Sequence, residues 1–172
     1  MSDELIVYGW HANVPSGGEL RLLAKLAGWS VAMVRDDESF EPVELSESPM
    51  VIGWAENGRR SDRIQQAIDR RDVAALSGLT EDLVAVDLAV ERPYAASAQE
   101  LEEYQMAGLE PELLEKIENA NLRAVCEVRS GAFDQAVEFS WAVASAFGVL
   151  TDGVLEDVEE GWVMDCTEED EP

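Results

Sequence analysis

Apolar and polar positions along the chain fall into short blocks whose period switches between two and three-to-four. Apolar, β-branched blocks predict strands at Glu4 to Trp10, Trp29 to Arg35, Pro49 to Ala55, Leu83 to Val90 and Leu122 to Val128. Between them, helical spacing predicts a helix from Gly17 to Ala27, with Leu20, Leu23, Ala24 and Ala27 on one face and Gly28 as its stop. Ser61 or Asp62 caps a second helix that ends near Gly78, with Ile64, Ala67, Ile68 and Ala75 inward. A glutamate-dense stretch from Ser97 to Ala120 is broken around Gly108 to Pro111, which predicts two helices with the proline opening the second. The most apolar helix runs from Phe133 to Phe147. Val149 and Leu150 follow, then a turn and a last strand through Glu160 to Met164. The acidic segment Asp36 to Ser48, which contains Pro42, reads as a loop or short hairpin, and Glu56 to Arg59 as a turn.

Such an alternation predicts an α+β fold: a mixed or antiparallel sheet with helices packed on it. The second half reads β-α-α-β-α-β-β, an order compatible with a ferredoxin-like arrangement. Residues 1-165 are expected to form one compact domain, or two small halves meeting near 79-83, and residues 166-172 an acidic tail.

Charge changes this picture more than composition does. The chain has 37 acidic residues against 12 basic ones, a net charge of −25, with 47% hydrophobic residues and a mean hydropathy of −0.15. Such a surface repels nucleic acid and anionic membranes and attracts a basic protein. No apolar run reaches the roughly 20 residues that cross a bilayer, and the acidic start Met1 to Glu4 lacks the basic region of a signal peptide, so the expected location is cytoplasmic. Cys126 and Cys166 lie in unlike contexts and form no metal-binding spacing, so neither a disulfide framework nor a zinc site is expected. The charge is also uneven. No basic residue follows Arg129, whereas Arg59, Arg60, Arg63, Arg70 and Arg71 crowd one segment as partners for the acidic remainder. Glu outnumbers Asp by 24 to 13, which argues against salt adaptation as the whole cause of the acidity.

Candidate chemistry is sparse. Gly9 to Glu19 has the outline of a phosphate loop, but Gly18 is followed by Glu19 instead of the lysine that neutralises phosphate, and the dinucleotide glycine spacing is missing. Ser16 and Glu19 fit a helix capping box instead. His11 is the single histidine and has no acid to orient it, and Asp152, Gly153 and Asp157 miss the calcium-loop register. No cofactor and no metal is expected. Of the five tryptophans, Trp29, Trp54 and Trp141 fit core positions, while Trp10 and Trp162 stand at strand ends where an aromatic anchor could meet a partner.

The block Phe133 to Asp152, closing in Glu160-Gly161-Trp162, resembles small bacterial immunity-type proteins over residues 130-164. The resemblance implies a cytoplasmic protein that binds and neutralises a toxin, and an acidic binder suits a basic one by electrostatic steering. The expected partner-binding residues are Trp10, His11, Trp162, Glu159 and Glu160. The alternatives are a nucleic-acid mimic using Glu100, Glu103, Glu112 and Glu115, a housekeeping domain of a salt-adapted organism, or an enzyme relying on His11.

Overall fold

A computed structural model describes residues 4–9, 29–34, 49–55, 59–70, 72, 75, 84–130 and 133–166. Along the chain these form β1 (Glu4–Gly9), β2 (Trp29–Val34), β3 (Met50–Ala55), α1 (Arg59–Asp69), β4 (Val84–Glu91), α2 (Ala98–Met106), α3 (Pro111–Asn119), β5 (Leu122–Ser130), α4 (Phe133–Leu150), β6 (Val154–Asp157) and β7 (Trp162–Asp165). The strands form one sheet in the order β2-β3-β4-β5-β1-β6-β7, and every neighbouring pair is antiparallel. The α+β class expected from the alternation is therefore the one observed. The second-half strands do not stand alone, because β1 is inserted between β5 and β6, with Leu5 opposite both Cys126 and Asp157.

Helices cover both faces, which explains why a central strand such as β1 is apolar without alternation: Leu5, Ile6, Val7 and Tyr8 are all buried. On one face Leu5, Val7, Val86, Leu88, Ala124, Cys126 and Leu155 pack against α4, which contributes Phe139, Val143, Ala144 and Phe147. Each of those large side chains stabilises the fold by about 2 kcal/mol through burial. On the other face α1 sits over β2 and β3, with Ile64 and Ala67 against Ala32, Val34, Ile52 and Trp54. Farther along that face, Ile117 of α3 packs with Ile6, Tyr8, Val154 and Tyr94. Lys116 of α3 reaches Asp165 of β7 at 2.7 Å and ties the helix to the edge strand.

Several expectations shift in detail. The second helix starts at Arg59 and not at a cap on Ser61 or Asp62; Asp62 falls in its first turn, where a carboxylate suits the helix dipole. It ends at Asp69, so the helical period no longer carries Ala75 inward; Ala75 is exposed and its amide donates to Asp72. The apolar helix continues through Val149 and Leu150, and the Thr151 hydroxyl donates to the Phe147 carbonyl at 2.8 Å to close it. Asp157 is the last residue of β6 and not a loop residue. Trp29 and Trp54 are core residues as expected, while Trp141 is half-buried. The expected helix at Gly17 to Ala27, the Ser16 capping box, the segment Asp36 to Ser48, Gly78 and residues 167-172 lie outside the described residues. No described helix is long and apolar enough to cross a membrane.

Candidate functional site

The chain's three tyrosines converge from separate elements on the sheet face under α2 and α3. Tyr8 is brought there by β1, Tyr94 by the segment after β4, and Tyr104 by α2. The Tyr104 hydroxyl donates to Oε2 of Glu156 on β6, the strand next to the edge strand β7. Because that proton is committed, the Tyr8 hydroxyl, 2.6 Å away, must be the donor to Tyr104; Glu156 Oε2 lies 3.5 Å from it as a weaker acceptor. The result is a directed relay, Tyr8 to Tyr104 to Glu156, with the two rings edge to face at 6.1 Å.

A second phenol–carboxylate pair stands beside it. The Tyr94 hydroxyl donates to Glu100 at 2.7 Å, and Glu100 also accepts from the Ser97 hydroxyl at 3.2 Å within a capping box that starts α2. Burial raises the Tyr8 phenol above its usual range even though the bond to Tyr104 works the other way. Burial first, and then the bond to a carboxylate, raise Tyr94 and Tyr104 as well. The Tyr94 bond holds the Glu100 carboxyl below its ordinary value, against the opposing effect of burial. All three phenols stay protonated near neutrality, so none is a base or nucleophile there, and they act as fixed hydrogen-bond donors. Arg123 sits directly across the β1–β5 ladder from Tyr8, with its guanidinium 5.9 Å from the Tyr94 ring centre and 3.8 Å from Glu91.

These groups line a cleft of about 770 Å³ between the α2–α3 connection and the β6–β7 hairpin. Glu100, Glu103, Glu110 and Glu156 contribute four carboxylates against the single cation of Arg123. Ile6, Leu109, Leu113 and Val163 supply apolar wall. The hairpin that borders the cleft is held in a fixed shape. Asp157 accepts from the Glu160 amide at 3.1 Å, its carbonyl accepts from the Gly161 amide at 2.8 Å, and Gly161 takes a φ of +73°, which glycine adopts without strain. Glu159 and Glu160 therefore sit exposed on the turn.

Trp162 begins the strand that follows. It lines the cleft, is 37% exposed and stacks on Trp141 of α4, with ring centres 5.1 Å apart. Along α4, Trp29, Trp141, Ala146 and Val149 border a second groove of about 400 Å³.

Of the residues expected to meet a partner, Glu159, Glu160 and Trp162 are thus together on one hairpin. Trp10 and His11 lie outside the described residues. Gly9, which precedes them, ends β1 on the side away from that hairpin, since Leu5 and not Gly9 pairs with Asp157. Among the glutamates singled out for mimicry, Glu100 is engaged by Ser97 and Tyr94, while Glu103, Glu112 and Glu115 are exposed. The tyrosine–glutamate cluster was not anticipated. Its only trace in the sequence is that Tyr8 falls in an apolar strand run, with Ser97-x-x-Glu100 marking the start of α2.

No protein-family model matches the chain, and searches of curated proteins and of solved structures also find no match.

Proposed function

We propose that this is an acidic cytoplasmic binding protein that captures and neutralises a basic protein partner, in the manner of an immunity protein or inhibitor. The observation that carries the reading is the β6–β7 hairpin, where two exposed carboxylates, Glu159 and Glu160, lead into a partly exposed tryptophan braced by a second one at the mouth of an acidic cleft. A braced tryptophan loses little conformational freedom on binding and offers a large apolar area, which suits it as an anchor. The surrounding carboxylates speed encounter with a cationic surface and disfavour anionic ones. A net charge of −25, with no basic residue beyond Arg129, extends that field over the whole C-terminal part of the chain.

The test begins with capture from the host lysate at low ionic strength and identification of the retained protein. That protein is then titrated against wild type, Trp162→Ala and the double variant Glu159→Gln/Glu160→Gln. Trp162→Ala is expected to weaken binding by at least about tenfold, equivalent to about 1.4 kcal/mol. The double variant should chiefly slow association and flatten its salt dependence. Binding that is indifferent to salt and to all three substitutions would remove the reading. Retention of no specific protein, together with unfolding at low salt, would assign the acidity to habitat.

A further inference from the structure

We infer that the cleft beneath α2 and α3 is a receptor for one guanidinium or ammonium group carried on an alkyl stem. It rests on the partner-capture reading for its source, an arginine or lysine side chain of the basic partner. Three features of the cleft point to this chemistry.

The first is excess negative charge, which Arg123 offsets only in part at Glu100. Glu100 and Glu156 take their hydrogen bonds from tyrosine and serine hydroxyls and a backbone amide, and Glu103 accepts from the Gln99 amide at 3.4 Å. Each of those donors is neutral, so it orients a carboxylate without cancelling it. Among the described residues no cation stands within ion-pair distance of Glu100, Glu103, Glu110 or Glu156. The second is direction. Both phenols of the relay address Oε2 of Glu156, which leaves Oε1 outside the relay as an acceptor on a carboxylate whose position is already fixed. An acceptor held in place before binding is what a planar guanidinium uses best, since little side-chain freedom is then lost.

The third feature is amphipathic shape. A volume of about 770 Å³ lies within the size range of ligand sites, and Ile6, Leu109, Leu113 and Val163 give an apolar wall against which a chain of methylenes can lie below the charged head. Arg123 sets the depth. Its charge, partly engaged by Glu91 and the Tyr94 ring, keeps a second cation toward Glu103, Glu110 and Glu156.

The experiment is an NMR titration of the full chain with N-acetyl-arginine methylamide, with the norleucine analogue as the uncharged control and n-butylguanidine as a free guanidinium of the same single charge. The expected result is saturable shifts confined to Tyr8, Tyr104 and residues 156-163 with the arginine probe, and none with norleucine. The double variant Glu103→Gln/Glu110→Gln changes two exposed side chains, so it should keep the wild-type melting temperature while weakening the arginine probe at least about fivefold. Tyr104→Phe, which frees the Glu156 carboxylate from the relay, should weaken it as well. Shifts that never saturate, that norleucine reproduces, or that the double variant leaves unchanged overturn the inference. n-Butylguanidine binding more tightly than the arginine probe keeps the cleft chemistry and overturns the partner side chain as its source. Failure of the arginine probe while a captured partner still depends on Trp162 removes the cleft inference alone. Arginine binding in the cleft with no Trp162-dependent partner removes the partner reading alone.

Discussion

At Gly53 the backbone of β3 comes so near the Phe139 ring that an added Cβ would stand 2.2 Å from Cε1. Gly53→Ala should therefore cost about 1–3 kcal/mol by overpacking, read as a lower urea midpoint; an unchanged midpoint would show that α4 can shift to accommodate it. The phenols set a second expectation at this scale. Tyr8, Tyr94 and Tyr104 are all raised above 10.0, with burial as the leading cause. The folded state keeps protons that the unfolded chain releases above about pH 10, so this contribution to stability is complete below pH 10 and is lost as pH rises beyond it. Phenolate absorbance should accordingly appear together with unfolding. Ionisation of all three near pH 10 without loss of stability would contradict the burial. None of this was legible in the sequence, because a tyrosine reads alike whether its hydroxyl meets water or another phenol. Tyr8, Tyr104 and Glu156 become neighbours only when β1 and β6 pair under α2.

Elements were more legible than contacts, and the reason is local chemistry. Ser97 and Glu100 form both halves of a capping box, and Pro111 opens α3, as the residue types at those spacings require. Ser97→Ala should lower stability by about 1 kcal/mol, equivalent to roughly 2–4 °C in melting temperature for a chain of this size. It should also loosen Glu100, which loses one donor while keeping Tyr94; a melting temperature equal to wild type would mean that packing alone holds α2. Boundaries were lost where no such signal exists. Arg59, the first residue of α1, is no start signal of its own, and the exit at Asp69 is marked by neither glycine nor proline. The sequence pattern joined Ala75, which is itself helical, to α1 across the break after Asp69, because hydrophobic spacing carries no stop of its own. The late end of α4 has a similar origin: Gly148 reads as a terminator, yet it is a helical residue whose missing side chain admits Cys166.

For the whole molecule, a net charge of −25 implies self-repulsion that dissolved salt screens. Raising NaCl from about 0.01 M to about 0.1 M shortens the screening length from about 30 Å to about 10 Å, and the melting temperature should rise across that range. A constant value would mean that the acidic groups are too far apart, or too well screened by their own counterions, to matter. The α+β class followed from the alternation of periods, but the order of strands did not, because hydrophobic pattern reports burial and not the identity of the neighbour. The place of β1 between β5 and β6 has a consequence for biosynthesis. Among the described strands β1 precedes both its lateral partners, and β2, β3 and β4 lie between it and β5 in the chain, with β6 later still. Its run of Leu5 to Tyr8 is without its native neighbours until β5 has been made, which makes the nascent chain a natural client for chaperones that shield apolar segments. An N-terminal fusion that hinders β1 should then reduce soluble yield more than a C-terminal one, since it obstructs the centre of the sheet and not its edge.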